Sequence, residues 1–169
     1  MKALTLTQPR ATLVAIDAQR IVTCSWATEY RGPLLIHAAA GLGPVGGIRG
    51  FTELLGQTEF TRALDPHYGY DYTLPAFGLL DCLPFGAIVA RCELVDCVPS
   101  EKIMAAFGAY GPEDQTGGRV LWPLTDQELA FGNYAPGRYA WLLADVEPMA
   151  TPIPAKGALG LWNWEGSLP

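Results

Sequence analysis

The chain has 169 residues, half of them hydrophobic and 17% charged, with a formal net charge of −6 and a pI near 4.8. A length close to the ~150 residues of a typical domain implies one globular domain, and so apolar a composition excludes a disordered or low-complexity chain. An acidic surface repels phosphate backbones, which excludes strong nonspecific binding to duplex nucleic acid.

Near the start, Pro9 and Arg10 interrupt the chain before an apolar run of signal-peptide length can form. No later run reaches the roughly 18 apolar residues of a membrane span. A soluble, cytoplasmic protein with no membrane partner is expected. Cys24, Cys82, Cys92 and Cys97 form no CxxC pair, so reduced thiols are expected. Neither they nor the two histidines have chelating spacing, so no metal site and no cofactor are expected.

Ala3–Thr7 alternates apolar and polar residues like a half-buried strand, which Gln8-Pro9 ends. Ala11–Ala18 fits a short helix through Leu13, Val14 and Ile16, and the β-branched "RIVTCSW" a strand. After a turn at "YRGP", the continuous apolar run "LLIHAA" reads as a central strand buried on both faces. Gly41–Gly50 holds too many glycines for a regular element. "FTELLGQTEFTRAL" reads as one helix weakened by Gly56. The aperiodic stretch from Asp65 to Gly86 reads as a long connection with room for a helical turn; Tyr68, Tyr70 and Tyr72 would share one face of it as a lid or a packed loop. "AIVARCELVDCV" is a strand, Glu101–Phe107 a short helix, "GAYGPEDQTGGR" a polar surface excursion and "YAWLLADVEPM" another strand. The Pro-rich stretch that follows leads to a short strand bearing Trp162 and Trp164 at same-face spacing. Several short strands, two or three short helices and no βαβ alternation predict a mixed α+β domain around a small, partly closed β-barrel with short flanking helices.

Several blocks in order, "LTLTQP", "RIVTCSW", "YRGPLLIHAA", "GAIVARCELVDC", "FGNYAPGRYAWLL" and "GALGLW", make the chain similar to the ASCH domain, a PUA-like β-barrel family. The resemblance runs from about Lys2 to Trp162. It implies a barrel whose cleft handles RNA or a modified nucleoside; in one small branch, an amidohydrolase removes acyl groups from cytidine. The family signature, Gly-x-Lys-x-x-Glu-x-Arg, falls on Asp17, Gln19, Val22 and Cys24 here, so all four defining positions differ. Arg10 replaces the tryptophan of a common Gln-Pro-Trp block, and Ala40 a lysine often found after "HAA". Thr23 stands beside the position that carries threonine in the acyl-removing branch, which is Val22 here.

The chemistry of these residues favours binding over turnover. Gln19 forms hydrogen bonds but is no base, Val22 only packs, and Cys24 has no histidine or carboxylate beside it in sequence. His37 reads as a core or cleft-edge histidine, with ligand contact as the alternative. Tyr134, Arg138 and Tyr139 offer aromatic faces and a permanent cation, suited either to stacking a base and pairing a phosphate or to a structural corner of the barrel. Arg10 and Arg31 stand as cleft-rim or surface charges. The sequence therefore predicts a binding protein without catalysis, its cleft candidates Gln19, Val22, Cys24, His37, Tyr134, Arg138 and Tyr139. Its expected partner is a nucleotide-like small molecule or single-stranded RNA. The rivals are a hydrolase of a modified nucleoside such as N4-acetylcytidine, with Asp17 and Glu93 as carboxylates, and a protein-interaction module.

Overall fold

The computed structural model describes residues 1–43, 47–68, 77–105 and 124–168. It is a mixed α+β fold. Six strands, β1 (Lys2–Leu6), β2 (Ile21–Cys24), β3 (Gly32–Ala38), β4 (Ala87–Pro99), β5 (Tyr139–Pro154) and β6 (Leu161–Asn163), form one sheet in the order β2-β5-β4-β3-β1-β6. The helices are α1 (Arg10–Ala15), α2 (Gly47–Leu55), α3 (Thr58–Tyr68), α4 (Phe77–Cys82), α5 (Ser100–Ala105) and α6 (Asp126–Phe131). Among the described residues no helix is long and apolar enough to cross a membrane. The chain divides into two compact units, one of Met1–Ala18, Pro33–Cys92 and Val146–Pro169, the other of Gln19–Gly32 and Glu93–Asp145.

In the first unit β1 runs parallel to β3, with Leu4 opposite Ile36 and Thr5 opposite His37, and antiparallel to β6, with Ala3 opposite Trp162. Leu34 to Ala38 are all buried, as a strand covered on both faces requires. Ala3, Leu35 and Ile88 form a core on which Met149, Ile153, Trp162 and Trp164 pack. Gln8 supports α1: its Oε1 accepts from Thr12 N (3.2 Å) and its Nε2 donates to Pro84 O (2.6 Å). The helix ends in a Schellman motif, with Asp17 N donating to Val14 O and Ala18 N to Leu13 O. The residue that must turn left-handed there is Asp17, at φ 58°.

Two expectations are corrected in this unit. Residues 47–50 are helical despite their glycines, because Phe51 and Leu55 bury one face of α2 and Arg49 pairs with Glu53 one turn on at 2.9 Å. The single helix expected over 51–64 is two. Gly56 and Gln57 end α2, and Phe60 with Leu64 restart the buried stripe in α3, which extends through Pro66 to Tyr68. The long connection thus begins as helix through Tyr68, and its helical turn is found at Phe77–Cys82. Tyr70 and Tyr72 of the expected lid, and the polar excursion at 108–119, lie outside the described residues.

In the second unit β2 pairs antiparallel with β5, Val22 opposite Trp141 and Cys24 opposite Tyr139. Ile21, Ala140 and Leu142 form its core, joined by Val98, Ile103, Leu124 and Tyr134. Trp141 is fully buried, edge-on to Trp26 at 4.6 Å, and its Nε1 donates to Trp26 O (3.3 Å). Helix α6 has no counterpart in the sequence reading. Thr125 caps it by accepting from Glu128 N (3.2 Å).

Candidate functional site

Six of the seven candidate residues belong to the second unit, and His37 to the first.

In the second unit, Gln19 is 1% exposed; its Nε2 donates to Ile21 O (2.9 Å), leaving Oε1 buried with no partner. Val22 is buried. Burial pushes the Cys24 thiol up to about 12, against the opposing pull of the Arg138 charge. At neutral pH it is therefore a protonated thiol and a poor nucleophile.

The Arg138 side chain is engaged with backbone. Its Nε donates to Asn133 O (3.0 Å) and its Nη2 to Thr23 O (3.2 Å), while Asn133 N donates to Thr23 Oγ1 (2.8 Å). Together these bonds tie β2 to the turn that precedes β5. The same turn donates Gly137 N to Glu101 Oε1 (2.8 Å), which holds that carboxyl below the usual range. The Tyr134 ring packs on the Ile21 core, and its buried hydroxyl, raised in pKa by burial and then by the Glu128 charge, has no partner. The block holding Tyr134 and Arg138 thus builds the corner. Tyr139 sits half-buried beside Cys24.

The residue that sequence reasoning missed here is Glu128. It is 7% exposed, and its carboxylate accepts from Arg20 N (2.6 Å) and Ile21 N (3.4 Å). The signal was the Thr-Asp-Gln-Glu run at 125–128, a capping-box pattern. The carboxylates of the enzymatic rival fall in different units: Asp17 is exposed in the first, and Glu93 lies beside Tyr30 in the second. Arg31 pairs with Asp96 at 2.7 Å on the surface, and Arg10 opens α1.

In the first unit, His37 borders a cavity of about 290 Å³ between the ends of β1 and β3 and the segment 155–159. His37 is 1% exposed. Its Nε2 lies 3.0 Å from Ala155 O, and a carbonyl only accepts, so Nε2 carries the proton and Nδ1 is left as a lone-pair acceptor. That Nδ1 is buried without a partner. Burial lowers the pKa of the imidazole, outweighing the carbonyl contact that raises it. Trp162 stands edge-on to the ring at 5.6 Å and donates Nε1 to Thr5 Oγ1 (3.1 Å), which itself donates to Ala158 O (2.9 Å). Position 157 admits only glycine without rearrangement: a Cβ there would fall 2.4 Å from His37 Cε1 and 2.6 Å from Nδ1. Lys156 stands exposed at the rim, and Ala39, Ala40 and Ala158 make the walls mostly apolar.

None of the four cysteines is in a disulfide, and among the described residues no group of three or more His, Cys, Asp or Glu is placed to hold a metal ion. No protein-family model and no curated protein matches the chain.

Proposed function

We propose that the chain is an ASCH-type, PUA-like small barrel that binds a nucleotide-like ligand or single-stranded RNA without turning it over. The observation that carries the reading is the cavity at His37, where a buried imidazole, a lysine at the rim and apolar walls meet, in keeping with a small-molecule site of few polar groups. The order of sequence blocks from "LTLTQP" to "GALGLW" supports the family resemblance, and the six-stranded α+β sheet fits it.

Binding without chemistry is favoured by the residues at the altered signature. Gln19 and Val22 carry no ionisable group, and the Cys24 thiol stays protonated at neutral pH. The His37 Nε2 proton is committed to a backbone carbonyl. Incubation with N4-acetylcytidine followed by chromatography is expected to release no acetate above a buffer control. Calorimetric titration with ribonucleotides and a short single-stranded RNA is expected to detect saturable binding. Turnover of acetylcytidine would establish the hydrolase instead, and failure of every nucleotide and RNA probe to bind would leave the interaction module.

A further inference from the structure

The segment 155–159 is fixed at one end and lightly held at the other. Ala155 N donates to Gly86 O (2.9 Å), and Ala155 O receives the His37 Nε2 proton. Beyond it, the side-chain bond to Ala158 comes from the Thr5 hydroxyl, and Leu159 is 98% exposed, so lifting the segment breaks almost no apolar packing at that residue. Gly157 and Gly160, the latter at φ 70°, give the backbone two points of easy rotation. Gly157 is also the residue set against the Nδ1 edge of His37. A buried nitrogen lone pair without a donor is costly, and here a glycine on a weakly latched segment lies against it.

We propose that this cavity seats the base of a nucleotide, with His37 Nδ1 accepting a base N–H and Lys156 pairing with the phosphate as residues 156–159 swing outward to admit it. The assignment rests on the nucleotide-binding reading above and adds where and how the ligand is held. The apolar walls suit a base face, and an exposed ammonium suits a phosphate that stays in solvent. Because Nδ1 can only accept while the ring is neutral, the site selects bases that present an N–H donor on the edge that enters.

Calorimetric titration of the full chain with the four ribonucleoside 5′-monophosphates, the matching nucleosides, ribose 5-phosphate and a short single-stranded RNA tests this. At least one monophosphate should bind, with its nucleoside weaker and ribose 5-phosphate weaker still. Lys156→Met should weaken the monophosphate about three- to fivefold and leave the nucleoside unchanged. His37→Gln retains a donor for Ala155 O but has no acceptor at the Nδ1 position, and should weaken nucleoside and nucleotide alike by about tenfold. Its melting curve reports whether it folds; should it not, Lys156→Met decides alone. Monophosphate binding that ignores Lys156→Met, ribose 5-phosphate binding as tightly as a nucleotide, or RNA binding without mononucleotide binding each overturn the pocket assignment while the broader reading stands. Silence from every probe, RNA included, overturns both.

Discussion

Asp17 occupies a backbone position that the helix end before it dictates. The Schellman motif needs a left-handed residue, where a side chain costs roughly 1 kcal/mol relative to glycine. Asp17→Gly is expected to raise stability by about 0.5–1 kcal/mol in a urea titration, with the slope of the transition unchanged. His37 obeys a different constraint. Its folded pKa lies below the ordinary value of 6.5, so the fold prefers the neutral ring; that contribution is present above pH 6.5 and is lost as pH falls through the lowered value. The wild-type protein should therefore lose stability relative to His37→Gln between pH 7.5 and pH 5, as read by paired thermal melts. A gap between the two that does not change with pH would show that His37 does not titrate differently in the folded chain.

At the level of elements, the anchoring of α6 is the clearest case of function by backbone hydrogen bonding. Thr125 satisfies the first turn of the helix, whereas Glu128 reaches away from it to the amides of Arg20 and Ile21. Thr125→Ala should cost about 1 kcal/mol, the usual loss of a cap. Glu128→Ala should cost more, about 2–3 kcal/mol, because two amides lose their charged acceptor; equal costs in chemical denaturation would reduce Glu128 to a helix residue. Sequence made the strands legible wherever β-branched and apolar residues run together, as in Ile21–Cys24, Leu34–Ala38 and Ala87–Pro99. It obscured the helices wherever glycine counts outweighed two buried side chains, as with Phe51 and Leu55 in α2. The His37 cavity was legible only as a histidine on a strand, because its other wall comes from residues more than a hundred positions later. No local pattern encodes that meeting. The corner role of Arg138 was visible as one of two options, and the bonds to Asn133 and Thr23 depend on a turn whose geometry spacing alone does not reveal.

For the molecule as a whole, charge and connectivity set the behaviour. With a net charge of −6, affinity for generic duplex DNA or RNA at physiological salt is expected at about 100 µM or weaker, the weak end of nonspecific binding. Retention of duplex at low micromolar protein in a gel-shift assay would contradict this. Connectivity is strongly non-local: the first unit gathers three separate stretches of chain and the second two. Non-local pairing of this kind places folding toward the millisecond-to-second end of the range for single domains.

The pairing of β1 with β6 joins Lys2 to Asn163 and Leu4 to Leu161. On a ribosome adding ~5–20 residues per second, the first strand is made roughly ten to thirty seconds before the strand that covers its outer side. For that interval its parallel neighbour β3 is at hand but its other margin has no native partner, a template onto which a stray extended segment can add. Lys2 lies on that margin, a cation of the kind that discourages strand addition. Translation speed between these two strands thus sets how long the nascent chain carries an open border.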